Sequence, residues 1–161
     1  MIRLSMTALA AVALVSCGQG PAPGKGEAPA RPAPTAAAKA ASLTTFPAPW
    51  SEADLDNGRR VFARCRACHT ITEGGPDMTG PNLHGLFGRR AGTHPRYNYS
   101  ATLREAGFLW DGERLQDWLE NPRTFLRGNK MSFAGIPDAT DRRDVVAFLK
   151  VETGYRPPAA P

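Results

Sequence analysis

The chain has 161 residues, enough for one domain and a tail. Its three cysteines are an odd number, so a pure disulfide framework would leave one thiol over. The formal charge of +5 does not mark a nucleic-acid binder: from Ser51 to Pro161 there are 16 Lys and Arg against 14 Asp and Glu, and the basic groups are scattered Arg rather than a run.

Arg3 forms a short positive start, followed by the apolar run Ala8 to Val15. A permanent membrane span needs about 20 apolar residues, so this run is a processing signal. It closes on Leu14-Val15-Ser16-Cys17, which resembles the bacterial lipobox. That resemblance implies a lipoprotein signal peptide over 1–16 and lipid on Cys17, the new N-terminus; an ordinary secretory signal with a chance Cys is the alternative. Either reading exports the protein, and the expected location is the bacterial periplasm, anchored to the membrane. Residues 17–50 read as the lipid anchor and a flexible tether. Gly18 to Ala41 is mostly Ala, Pro and Gly, with no apolar period and no aromatic residue. A coil of about 33 residues averages roughly 30 Å end to end.

Residues 51–155 read as a small all-α domain, and 156–161 as a disordered tail. Ser51-Glu52-Ala53-Asp54 has the form of a capping box, and Leu55, Gly58, Val61, Phe62 and Cys65 follow at helical spacing. Gly and Pro recur without a period from Thr70 to Arg96, which predicts a long structured loop. Ser100 to Ala106 predicts a short helix ended by Gly107. Asp111 can cap a helix through Glu120 that stops at Asn121-Pro122, with Leu115, Trp118 and Leu119 inward. Thr140 can cap the last helix, where Val145, Val146, Phe148 and Leu149 form an apolar stripe. Nothing reads as a strand pair. The apolar core is thin for so much loop, as if another group fills the middle.

Cys65-Arg66-Ala67-Cys68-His69 fits the C-x-x-C-H haem-attachment pattern. Two intervening residues set the sulfurs at the separation of two haem vinyl groups, and the next residue turns an imidazole to the iron. A thioredoxin-like pair belongs in a strand-to-helix turn, whereas this motif ends a helix. A structural zinc site wants four ligands, and only the irregularly spaced His84 and His94 remain. A structural disulfide would not call for His69. For the sixth iron ligand, Met131 lies 62 residues beyond His69, far enough to wrap the haem. Met78, His84 and His94 stay open by chemistry, and Met131 has a plain reading as a core gap-filler.

At these residues the chain resembles the class I cytochromes c, of mitochondrial type and its membrane-anchored bacterial relatives, over about Leu55 to Gly154. The matches are the attachment motif, Thr79 to Arg89, Trp110, Leu119 to Pro122, and Asn129 to Ile136. The resemblance implies a cytochrome c fold around one covalent haem c, with His69 and Met131 as axial metal ligands. It implies that the Pro81 carbonyl accepts from His69 Nδ1–H. It also implies that Arg89, Tyr97, Tyr99 and Trp110 surround the haem propionates, and that Phe133 covers the exposed haem edge. Gly58 and Phe62 would meet the last helix near Val145 and Phe148. Three residues depart from the mitochondrial type: Trp118 replaces a Tyr near the Met sulfur, Leu103 an Asn, and Asn129 a Thr or Ser.

The function implied is a single-electron carrier rather than an enzyme, a monomer without nucleic-acid partners. Arg64, Arg66, Arg123, Arg127 and Lys130 would ring the docking edge. The expected donor is a quinol-oxidising cytochrome bc complex, and the acceptor a terminal oxidase or other reductase of the respiratory chain. The competing function is a haem peroxidase-like enzyme or sensor in which Met131 leaves the iron.

Overall fold

The computed structural model describes residues 34–157. The expected signal peptide, Cys17, the first part of the tether and the end of the tail lie outside the described residues. Six α-helices and one turn of 3-10 helix occur among them, with a single isolated antiparallel bridge between Arg90 and Leu109 and no strand pair. The all-α reading of the sequence holds.

Most helices start at a side-chain oxygen that accepts otherwise unpaired backbone N–H groups. Thr35 caps α1 (Ala36–Leu43), and Asp54 caps α2 (Leu55–Phe62) through Asp56 N and Asn57 N. The expected box at Ser51 does not form. Trp50–Glu52 coils instead into the 3-10 turn, drawing the Trp50 indole into the core. Ser100 caps α3 (Ala101–Glu105) and Asp111 caps α4 (Gly112–Glu120), as their sequences predict. Asn121 then caps a further short helix, α5 (Pro122–Phe125), with Pro122 in its first turn, where the missing N–H costs nothing. Asp138, rather than Thr140, caps α6 (Ala139–Glu152).

The last helix is the axis of the fold: α1, α2, α4 and the Trp50 turn all pack against it. Where α2 crosses α6, Gly58 admits the partner backbone; a Cβ there would lie 2.2 Å from the Asp144 carbonyl oxygen and 2.7 Å from Phe148 Cβ. The Phe62 and Phe148 rings meet beside it at 5.4 Å. The Asp144 carboxylate, 1 % exposed, is satisfied by Asp54 N–H at 3.1 Å, Asn57 Nδ2 at 2.9 Å and Arg143 Nε at 2.9 Å. A buried carboxylate without such donors would cost several kcal/mol, on the order of its desolvation.

Residues 34–50 are folded onto this domain, which corrects the expected tether of 17–50. Phe46 and Trp50 are 4 % and 5 % exposed. Both rings, with Phe87 and Tyr155, surround the Lys150 ammonium at 4.4 to 5.7 Å from the ring centroids. Gly112 makes room, since a Cβ there would be 2.6 Å from the Trp50 ring. Lys39 of α1 pairs with Glu152 at the end of α6. Over 34–50 the tether reading failed because Ala-rich composition hid a capped helix, and because two isolated aromatics carry the docking. For the same reason α6 is buried without interruption from Asp144 to Val151, not along one stripe.

Candidate functional site

Beyond α2 the chain keeps turning. Cys65 N–H donates to the Phe62 carbonyl at 2.8 Å, and the N–H groups of Cys68 and His69 both donate to the Cys65 carbonyl at 3.0 Å. This turn carries Cys65, Cys68 and His69 to the wall of one cavity. Neither thiol is in a disulfide. Burial pushes the Cys65 thiol up to about 11, against the opposing pull of Arg64.

The His69 ring is fixed from two sides. Its Nδ1 lies 2.7 Å from the Pro81 carbonyl. A carbonyl only accepts, so the ring proton sits on Nδ1 and Nε2 keeps its lone pair for a metal. Burial holds the imidazole below its ordinary pKa, and the Pro81 bond partly opposes this. Gly80 forms the other constraint: a Cβ there would fall 2.3 Å from His69 Cε1. The Pro81 peptide is held in turn by buried Asn82, whose Nδ2 donates to Thr70 Oγ1 at 2.6 Å and to the Thr72 carbonyl at 2.9 Å.

A second loop brings Met131. Asn129 Oδ1 accepts the Met131 N–H at 2.8 Å, while Asn129 Nδ2 donates to the carbonyls of Pro122 and Leu126 at 2.7 and 2.8 Å. One amide thus ties the Met131 backbone to α5. The sequence marked Asn129 only as a departure; its fixing role needed the fold. Arg64 lies over the Phe133 ring at 5.3 Å and donates to the Gly135 carbonyl. Trp118 is buried edge-on against Trp110 and Phe125, at 5.5 and 5.8 Å. Tyr97 and Tyr99 stack edge-to-face at 4.8 Å, and burial raises both phenols above their ordinary pKa.

His69 and Met131, the two cysteines, and the residues proposed from sequence around the cofactor all line the same cavity of about 240 Å³. The latter are Pro81, Arg89, Tyr97, Tyr99, Trp110, Trp118 and Phe133. Leu103 lines it too. The alternatives to Met131 lie elsewhere: Met78 is 48 % exposed, and neither it, His84 nor His94 borders the cavity. An open surface hollow beside Arg123, Arg127 and Asn129 is larger, at about 480 Å³, but holds no thiol, imidazole or thioether. Among the described residues no three His, Cys, Asp or Glu side chains gather to hold a metal. Two free thiols, one imidazole nitrogen with an open lone pair, and a soft thioether on a mainly apolar wall are the donor set for a covalently bound haem.

Known proteins give the same answer. The family model described as cytochrome c matches residues 55–151. A cytochrome c of Kluyveromyces lactis is 40 % identical over 104 residues, covering 64 % of this chain and 94 % of its own. One of Sesamum indicum is 40 % identical over 101 residues, covering 62 % of this chain and 91 % of its own. One of Arabidopsis thaliana is 39 % identical over 103 residues, covering 63 % and 92 %. With this fold, this cavity and these relatives, the chain belongs to the cytochrome c family: it carries a covalent c-type haem and is a haem-based electron carrier.

Proposed function

We propose that the protein is a membrane-anchored, His69/Met131-ligated carrier that moves single electrons outside the cytoplasm. The observation that carries the ligand set is the shared cavity: Met131, alone among the alternative sixth ligands, stands on the wall that also bears His69 and the attachment cysteines. The haem supplies the one-electron couple; the chain supplies its setting. Cys65 and Cys68 hold the group covalently. Pro81 and Gly80 orient the imidazole, and Asn129 orients the Met131 loop. Arg89, Tyr99 and Trp110 offer donors for the two propionates, while Tyr97, whose hydroxyl donates to the Thr79 carbonyl, packs edge-on against Tyr99. Trp118, Leu115, Leu119 and Val145 keep water away, and burial with Met ligation raises the potential.

Arg64, Arg66, Arg123, Arg127 and Lys130 are exposed and form the proposed docking ring for acidic redox partners. A quinol-oxidising bc complex as donor and a terminal oxidase as acceptor fit that chemistry. Lipid on Cys17 would hold the domain at the membrane, because lipoproteins carry more than one acyl chain and two chains anchor stably where one does not. No described helix is long and apolar enough to cross a membrane. Cys17→Ser should release the domain into the soluble fraction, or leave the signal uncleaved, with an intact haem spectrum; a wild-type protein already wholly soluble defeats the anchor.

The test of the ligand set is Met131→Ala. Haem should stay attached through Cys65 and Cys68. Loss of the thioether, which favours ferrous iron, should lower the midpoint potential by on the order of 100 mV, within the range of about 0.8 V that axial ligands span. The reduced variant should bind carbon monoxide and the wild type should not. Met78→Ala should change neither property. An unaltered potential in Met131→Ala would mean another sixth ligand. Carbon monoxide binding by the wild type would favour the peroxidase-like or sensor reading.

A further inference from the structure

We propose that His94 is a positioning residue for Arg89, holding its guanidinium on the cavity wall through a bridge from Arg89 to Asp77. Arg89 Nη1 lies 3.0 Å from His94 Nδ1, and His94 Nε2 lies 3.0 Å from Asp77 Oδ1. A guanidinium has no lone pair to accept with, so Nδ1 is the acceptor and the ring proton resides on Nε2, donated to Asp77. Only one tautomer of the ring satisfies both neighbours.

The far end of the bridge is itself fixed. Asp77 Oδ1 also accepts the Asn82 N–H at 2.8 Å. Arg89 donates in addition to the His84 carbonyl at 3.1 Å and to the Asn82 carbonyl at 3.3 Å. The ring of contacts therefore closes on Asn82, the residue after Pro81, whose carbonyl orients His69. Three of the five guanidinium donors are used in these bonds, and two are left for an anionic group in the cavity. Burial lowers the pKa of Arg89, with Tyr99 and Asp77 opposing, and the group remains a cation. The side chains of His94 and Asp77 are 19 % and 27 % exposed, so the bridge is shielded but not sealed. Without His94, the Arg89 head loses one of the contacts that keep it from swinging toward water.

The inference rests on haem occupying the cavity, where its carboxylates would meet Arg89. A fixed positive charge there disfavours the more positive ferric form. The test is the midpoint potential of the full-length holoprotein, read beside its haem spectrum and thermal melting. His94→Ala should shift the potential downward. His94→Gln, whose amide has one acceptor and one donor, should recover most of the shift. In an Arg89→Ala background, His94→Ala should produce no further shift, because its effect passes through the guanidinium. His94→Leu breaks the same bridge while keeping more of the ring's packing volume and should move the potential in the same direction; it serves if His94→Ala yields too little holoprotein. An unchanged potential in both single variants overturns the proposal. So does a shift that persists undiminished without Arg89, which would make His94 a purely structural residue. A wild-type chain with no haem spectrum would instead sink the carrier reading itself.

Discussion

Gly80 shows how little space separates a functional side chain from its support. The His69 ring lies where any Cβ on residue 80 would be, with the nearest ring atom 2.3 Å away. Gly80→Ala should therefore turn the imidazole off its Pro81 bond. Holoprotein yield should fall and the visible spectrum of what remains should change, whereas Gly74→Ala, with open space around its Cα but a positive φ of 68°, should alter stability without altering the spectrum. At this scale the sequence was most informative. Cys65, Cys68 and His69 are legible because covalent haem attachment demands particular atoms at a particular spacing, whereas spacing left Met131 among alternatives and only the resemblance singled it out. The His94 bridge was not legible, since His94 and Asp77 are 17 positions apart in a loop without period. Only the folded loop makes them neighbours, and the sequence offered His94 merely as a spare ligand.

At the level of helices, the crossing of α2 over α6 organises the molecule. Gly58→Ala would drive a methyl group into the Asp144 carbonyl and Phe148. Overpacking of this kind costs about 1–3 kcal/mol, to be seen as a lower urea midpoint with an unchanged haem spectrum. Ser100, Asp111 and the Val145–Phe148 region were readable in advance because caps and apolar periods are local. The miscounted boundaries have a common cause. Ser51 and Thr140 are good caps by type, but Trp50 is drawn into the core and Asp138 reaches Asp141 N–H first. Tertiary packing decided between two acceptable local signals. The short α5 was hidden because Pro122 reads equally well as the end of one helix or the start of the next.

Across the whole molecule, the segment from Ala36 to Glu52 adds a layer outside the stretch that matches the family. Lys150 is its keystone, 5 % exposed among four rings. Burial pushes the Lys150 ammonium down to about 8 from its ordinary 10.5, with Asp111 opposing, and the ring faces also favour the charged form. A lysine whose folded pKa is depressed binds fewer protons when folded than when unfolded across that interval, so stability rises with pH from about 8 toward 10.5 and the burial penalty is full below 8. The urea midpoint should therefore rise between pH 7.5 and 9.5 relative to that of Lys150→Met, which has no such group. Equal pH dependence in the two proteins would show that the rings cancel the burial effect. The N-terminal layer was illegible because a lysine reads as surface, and its aromatic neighbours come from positions 46, 50, 87 and 155.

The central place of α6 also sets an order of events in time. It is the last of the described helices, and Val145 and Leu149 on it form part of the cavity wall. Cys65, Cys68 and His69 precede its start by about 70 residues or slightly more. A chain emerging from its N-terminus thus presents both thiols and the imidazole before the pocket has its final side, at a stage when the N-terminal layer has nothing to rest on. Until α6 is in place, the pocket lacks the wall that Val145 and Leu149 supply.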